Sequence, residues 1–298
     1  MMKIRESRTS PSTGVDVRRL LPADIEKLHL ANHPHVDEAD VVALVVQHPG
    51  VSCWIPPTGE FALVTPWRHR SDLVTIHTLS AFENERILLN AVRSYAEDDG
   101  IAGVIMVDMN ETRSQSFYAT NGFCRVEEIV TYHHSNPRSL AHAARLSRLR
   151  FIQVNIGDLE WLRGVQQLDN ASFPWLWWNS PEEFAEYVRF PSVEIWAGFL
   201  GDLLIAYAGA TNYHDWSHLD RIATHPDHQG RGFGRESLLF AVQQMVKQGA
   251  RSVSLSTQAT NTRSRTLYED LGFARTPRDD YAMYAAVLHE RKFRGASS

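Results

Sequence analysis

Apolar and polar positions alternate along two stretches of this chain in the same order. Val15-Asp16-Val17-Arg18-Arg19-Leu20 has the period of two expected of a strand, and Pro22-Ala23-Asp24-Ile25-Glu26-Lys27-Leu28 reads as the start of a helix. Phe151-Ile152-Gln153-Val154 followed by Gly157-Asp158-Leu159-Glu160-Trp161-Leu162 repeats that order. The second stretch goes on with a helix over 158–171, an aromatic segment, and a second helix over 181–189. Strands are predicted at 193–200 and 203–212, joined by the turn signal Gly201-Asp202, and at 217–224. A glycine-rich turn then leads into a helix with Leu238, Leu239, Val242, Met245 and Val246 on one face, stopping at Gly249. A short strand over 253–257, a helix over 262–271 closed by Gly272, and a closing strand over 281–288 complete a mixed α/β sheet.

The two stretches are copies. Leu88-Leu89-Asn90-Ala91-Val92 returns as Leu238-Leu239-Phe240-Ala241-Val242, 150 positions on. At the same offset Thr112-Arg113-Ser114, Phe117-Tyr118 and Gly122-Phe123 return as Thr262-Arg263-Ser264, Leu267-Tyr268 and Gly272-Phe273. Two matches in one register mark an internal repeat. The expected domains are residues 15–134 and 151–290, with 135–150 as a polar, basic, proline-broken linker.

Composition narrows the class without choosing a function. A length of 298 residues suits two domains, and 43% hydrophobic with 22% charged residues is ordinary for a soluble globular protein. The formal net charge of -5 argues against a nucleic-acid partner. Cys53 and Cys124 are the only cysteines, and the 14 histidines form no HExxH or similar ligand spacing, so neither a disulfide framework nor a metal site is expected. The polar start over residues 1–14 is no signal peptide, and no apolar run reaches the ~20 residues a bilayer span needs. A cytoplasmic protein without a membrane partner, monomeric or homodimeric, is the expectation.

The candidate chemistry lies at His225-Pro226-Asp227-His228-Gln229-Gly230-Arg231-Gly232-Phe233-Gly234-Arg235. Backbone N–H groups converging at a helix N-terminus suit a pyrophosphate, and glycines clear side chains from their path. Arg231 and Arg235 add positive charge. A P-loop is excluded because no Gly-Lys-Ser/Thr follows the glycines. The run Gln229-Gly230-Arg231-Gly232-Phe233-Gly234 resembles the Q/R-x-x-G-x-G/A motif of the GCN5-related N-acetyltransferase (GNAT) superfamily. Asn261, with Tyr268 and Gly272-Phe273 after it, resembles that superfamily's second signature, and the likeness covers residues 151–288.

The resemblance implies two tandem GNAT-like domains and an acetyl-CoA-dependent N-acetyltransferase, with the acetyl group passing directly to a primary amine of a small molecule or peptide. It implies that Ile222, Ala223 and Thr224 bind the pantetheine arm as an added strand. The amides of Gly230 to Arg235, Phe233 among them, and the motif residue Gln229 would hold the pyrophosphate, Asn261 would contact the pantetheine or thioester, and Tyr268 would act as general acid. A phenol suits that task because its ordinary pKa, about 10, keeps it protonated at neutral pH. Where many members carry a basic glutamate on the strand before the loop, this chain has His218, with Asp220 two residues on. Where the ribosomal-protein N-terminal acetyltransferases carry theirs, it has Ser256. His218, Asp220 and a bridging water all stay open as the base.

On the acceptor side, Phe173-Pro174-Trp175-Leu176-Trp177-Trp178-Asn179 begins like the same region of the ribosomal-protein enzymes. Trp175, Trp177 and Trp178 suit either a substrate wall or packing against other protein surface. That likeness keeps a protein Nα-acetyltransferase open as an alternative. The absent glutamates keep open a CoA-binding regulator without turnover. In the first copy the loop segment reads Leu79-Ser80-Ala81-Phe82-Glu83-Asn84-Glu85-Arg86, without glycine, and Glu111 stands at the asparagine position although Tyr118 remains. That copy is expected to be degenerate, its loop glutamates repelling pyrophosphate.

Overall fold

The structure, a computed structural model, describes residues 14–30, 37–48, 50–109, 113–143 and 148–293. Glu111, Thr112 and the start of the chain through residue 13 lie outside the described residues. In chain order the first strands are β1 (Arg18–Arg19), β2 (Cys53–Ile55), β3 (Glu60–Pro66), β4 (Leu73–Ser80), β5 (Gly103–Asp108) and β6 (Cys124–His134). Then come β7 (Arg150–Val154), β8 (Val193–Leu200), β9 (Leu203–Asn212), β10 (Trp216–Thr224), β11 (Ser252–Gln258), β12 (Ala274–Arg275) and β13 (Tyr281–Val287). The helices are α1 (Glu38–Gln47), α2 (Glu85–Asp98), α3 (Gln115–Thr120), α4 (Pro137–Ala143), α5 (Leu159–Ser172), α6 (Pro181–Arg189), α7 (Phe233–Lys247), α8 (Thr262–Asp270) and the single turn α9 (Glu290–Phe293). The helix start predicted at Pro22 is a short 3₁₀ turn, Pro22–Lys27.

Two compact units result. One contains the described residues up to Val126 and from Ala282 onward, and the other runs from Glu127 to Tyr281. In the first, β1, β2, β3 and β4 pair antiparallel in succession, β4 pairs parallel with β5, and β5 pairs antiparallel with β13. In the second, β7, β8, β9 and β10 pair antiparallel, β10 pairs parallel with β11, and β11 pairs antiparallel with β6. The units therefore differ from the expected segments 15–134 and 151–290 by one strand each. The predicted closing strand of the second half, β13, pairs with β5, while Ile129–His134 of β6 pairs within the second unit. The expected linker is also partly built: α4 packs Leu140 and Ala141 against the core below α7, and Gln243 donates to the Ala141 carbonyl at 3.0 Å.

Local sequence explains the elements that frame the second sheet. Ser180 accepts from the Glu183 amide at 3.0 Å with Pro181 in the first turn, so α6 starts on a capping signal. On α7, Leu238, Val242 and Met245 are fully buried at helical spacing beneath β10 and β11. The opposite face of the sheet carries Val165 and Leu168 of α5 and Phe184 of α6 against Ile195, Tyr207 and Ala223. Each such buried aliphatic side chain contributes roughly 1.5–3 kcal/mol.

The repeated Tyr-x-x-x-Gly-Phe has one structural meaning in both copies. Gly122 and Gly272 take φ of +77° and +81°. The Phe123 amide donates to the Tyr118 carbonyl at 2.9 Å, and the Phe273 amide to the Tyr268 carbonyl at 3.0 Å. These are Schellman caps, which stop each helix one turn after its tyrosine.

Candidate functional site

In the second unit β10 and β11 run side by side only from Trp216↔Ser252 to Leu219↔Leu255. Against β9 the register of β10 shifts between Leu219 and Arg221, so Asp220 is the extra residue of a bulge. Beyond it, Ile222, Ala223 and Thr224 keep Ala208, Tyr207 and Ala206 of β9 as partners, while Ser256, Thr257 and Gln258 of β11 pair with β6. The strands separate into a wedge along which, among the described residues, β10 has no strand partner on the β11 side, an arrangement that suits an extended ligand.

Polar side chains hold the bulge. The Asp220 carboxylate accepts from Tyr187 Oη and Thr211 Oγ1, both at 2.7 Å, and lies 2.7 Å from His218 Nδ1. An ionised carboxylate only accepts, so the proton between them sits on Nδ1 and leaves the neutral imidazole's lone pair on Nε2. Both side chains keep contact with solvent. Burial, then the Asp220 charge, pushes the Tyr187 phenol well above its ordinary value, so it remains a donor. Gly209 makes room for it, because a Cβ there would meet Tyr187 Oη at 2.7 Å.

The glycine turn stands at the end of β10. Gly230 and Gly232 take φ of +76° and +83°, and no side chain caps α7 at Gly232. Gln229 braces the turn: its Nε2 donates to the Thr224 carbonyl at 3.0 Å and its Oε1 accepts from Arg263 at 2.7 Å. Arg231 and Arg235 are exposed, and Gly234 lies close to Thr224 Oγ1. Phe233 is buried. Arg148 is a cation the sequence did not single out. Its Nη1 donates to the Arg231 carbonyl at 2.7 Å, its Nε donates to Glu236 at 3.0 Å, and its guanidinium lies over the Phe233 ring. No motif covers it because it reaches the turn from 83 residues away.

Tyr268 is buried among Tyr132 and Phe273, and that burial pushes its phenol up to about 12. It stays protonated across the physiological range, as a general acid must. Asn261 spends its side chain locally: Oδ1 caps α8 through the Ser264 amide at 3.1 Å, and Nδ2 donates to Thr257 Oγ1 at 3.3 Å. Ser256 lies across from Thr131, its hydroxyl 3.2 Å from Thr131 Oγ1.

The segment after α5 is held by an ion pair that sequence reasoning missed. Asp169 is fully buried and takes Arg221 bidentately, Nε to Oδ1 at 2.8 Å and Nη2 to Oδ2 at 2.7 Å. Tyr207 Oη and Asn179 Nδ2 also donate to it. The Arg221 guanidinium lies 3.9 Å from the Phe173 ring centroid and donates to the Trp177 carbonyl at 3.1 Å. On the other side of the wedge Trp177 Nε1 donates to Glu127 of β6 at 3.5 Å, and burial raises that carboxyl. Trp178 is partly exposed and donates to the Phe173 carbonyl at 2.9 Å, while Trp175 is half-buried. Trp177 thus reaches from Arg221 on β10 to Glu127 on β6. The available signal was Asp169, a charge on the apolar stripe of α5 beside Val165 and Leu168.

The acetyltransferase (GNAT) family model matches residues 162–273, which hold the wedge, the glycine turn and Tyr268. This segment is a GNAT acetyltransferase domain. No curated protein matches the chain by sequence. Among solved structures, a tandem GNAT protein from the clavulanic acid biosynthesis pathway is similar over 92% of this chain and 98% of its own, at 13% identity and a TM-score of 0.57. A probable N-acyltransferase from Enterococcus faecalis covers 94% and 74%, at 10% identity and a TM-score of 0.66. A GCN5-related N-acetyltransferase from Sphaerobacter thermophilus covers 92% and 95%, at 13% identity and a TM-score of 0.53. These likenesses concern the fold: a mixed α/β chain with two GNAT-like domains. Among the described residues no helix is long and apolar enough to cross a membrane, and no group of three His, Cys, Asp or Glu is placed to hold a metal ion.

Proposed function

We propose that the chain is an acetyl-CoA-dependent N-acetyltransferase that passes an acetyl group to a primary amine of a small molecule or peptide, by direct attack with both substrates bound. The observation that carries this reading is the opening of β10 from β11 at the Asp220 bulge, directly ahead of the uncapped glycine turn into α7. A free strand edge suits the amides of a pantetheine arm, and the turn's N–H groups with Arg231, Arg235 and Arg148 suit its phosphates. Acetyl-CoA supplies the activated thioester.

The chain's own groups divide the proton work. His218, oriented through Nδ1 by Asp220, presents Nε2 to take a proton from the incoming ammonium. Tyr268 holds the proton that the departing thiolate needs. Trp177, clamped between Arg221 and Glu127, and the partly exposed Trp178 form the apolar wall for the acceptor.

Release of free thiol from acetyl-CoA, followed with a panel of amines, amino acids and peptide N-termini, tests the reading. Turnover on at least one acceptor, with much weaker acetyl-CoA binding in Gly232→Glu, is expected. Unchanged affinity in Gly232→Glu overturns the cofactor assignment. Acetyl-CoA binding with no turnover on any acceptor favours a CoA-binding regulator, and turnover on protein N-termini alone favours a protein Nα-acetyltransferase.

A further inference from the structure

The first unit repeats the wedge. There β4 and β5 pair only from Leu73↔Gly103 to Thr75↔Ile105, although β4 continues to Ser80 and β5 to Asp108. The turn from β4 into α2 lacks glycine, yet its amides still converge. They converge on a carboxylate of the same chain. Glu60 Oε1 accepts from the amides of Phe82, Glu83 and Asn84 at 2.6, 3.0 and 3.1 Å. Its Oε2 accepts from Asn84 Nδ2 and, at 2.7 Å, from Thr58 Oγ1. Glu60 is 1% exposed, and among the described residues each of these donors is uncharged. Three backbone N–H groups at a helix start, all donating to one oxygen, are what an oxyanion site provides.

The second unit shows why the cradle is open there. Phe61 pairs with Ser80, the last residue of β4, as Ala206 pairs with Thr224, the last residue of β10. One residue earlier the first unit has Glu60 and the second has Ile205, which is buried and has no acceptor side chain. The tyrosine is also engaged in the first unit: Tyr118 Oη donates to Asp108 at 2.8 Å, while 150 positions on the counterpart of Asp108 is the neutral Gln258.

We infer that Glu60 is an intramolecular ligand for the first unit's anion cradle, taking the place a cofactor phosphate would fill and closing that domain to CoA. Glu83, one of the loop glutamates expected to repel pyrophosphate, contributes its amide to the cradle. The inference uses the reading of the second unit's turn as a phosphate site only for comparison, and its test is read in the first unit. Burial alone would raise the Glu60 carboxyl, but hydrogen bonds from Asn84, the Phe82 amide, Thr58 and the Glu83 amide outweigh it and hold it at about 2. A carboxyl depressed on folding stabilises above its ordinary range and loses that contribution as pH falls toward about 2. Among the described residues the titratable groups at the turn are Glu83 itself, Glu85 at the start of α2, which is paired with Arg113, and His29, packed edge-on to Phe82.

The test is anion rescue in the full chain. Glu60→Ala is expected to melt below wild type, and about 10 mM inorganic phosphate is expected to raise its melting temperature by about 3 °C more than it raises wild type. Measuring the excess over wild type removes any effect of phosphate at the second unit's turn. A melting temperature equal to wild type, or no excess rescue by phosphate, overturns the inference. If Glu60→Ala does not fold, Glu60→Gln decides: its stability between pH 5 and pH 3 is expected to fall less steeply than that of wild type, and an unchanged profile overturns the inference. Two molecules of acetyl-CoA bound per wild-type chain would overturn it as well.

Discussion

At the scale of single residues, the arrangement around Asp220 makes a prediction that separates chemistry from binding. Asp220 is fixed by Tyr187 and Thr211 and in turn fixes the proton on His218 Nδ1. His218→Ala is expected to lower kcat by about 10²- to 10⁴-fold, the range usual for a lost proton-transfer group, with acetyl-CoA affinity unchanged. Tyr268→Phe should behave the same way, because the CoA thiolate then departs without that proton donor, and keep its fold, since the ring remains packed against Tyr132 and Phe273. Steady-state kinetics beside calorimetric acetyl-CoA binding check both, and a variant that loses binding instead would place that residue in the cofactor site. Asp169 behaves differently. Asp169→Ala leaves the Arg221 guanidinium buried without its carboxylate, which costs about 3–5 kcal/mol, and frees the Trp177 carbonyl's anchor. Denaturant unfolding should show that loss, with Asp169→Asn losing less.

At the scale of elements, the two φ-positive glycines of the turn before α7 are not equivalent. Gly230→Ala meets no atom within 4 Å and carries only the strain of a left-handed backbone, roughly 1–2 kcal/mol. Gly232→Ala carries the same strain and brings its Cβ to 3.1 Å from Arg148 Nη2, so that the guanidinium must also shift by a few tenths of an ångström at the helix start. Acetyl-CoA binding should therefore weaken more in Gly232→Ala than in Gly230→Ala; equal losses would remove Arg148 from the site. The turn itself was legible in the sequence because glycine spacing and the following apolar helix face are local signals. Strands β8 and β9 were legible for the same reason, through the Gly201-Asp202 turn, and helix α6 fell where it was predicted, over 181–189. What was illegible depends on pairs far apart in the chain. Arg148 meets Arg231, Asp169 meets Arg221 and Trp177 meets Glu127 across separations of 83, 52 and 50 residues, and no window on the sequence contains both partners. The bulge at Asp220 is local, but a period-two pattern read through it shows no break.

At the scale of the whole molecule, the strand exchange between sequence halves decides how the chain can be divided. A cut in the linker at residue 144 would leave β6 on the first fragment and β13 on the second. The second fragment would then lose Val130 and Tyr132, both buried against Val253, Leu255 and Tyr268 in the core beneath α7 and α8. The first would lose Ala282, Tyr284 and Ala286 from the core built on Leu88, Leu89 and Val92. Each unit keeps most of its sheet but gives up a full strand of backbone pairing and two or three buried side chains, more than a domain with the usual margin of about 5–15 kcal/mol readily tolerates. Fragments 1–143 and 144–298 made separately are therefore expected to fail to unfold cooperatively, and to recover acetyl-CoA binding when produced together. A fragment 144–298 that melts cooperatively and binds acetyl-CoA alone would show that β6 is dispensable. Duplication accounts for the shared wedge and the shared helix caps. The exchanged strands make each half of the sequence supply a strand to the other's sheet, so the first half is needed for the second unit's sheet whether or not its own turn holds a ligand.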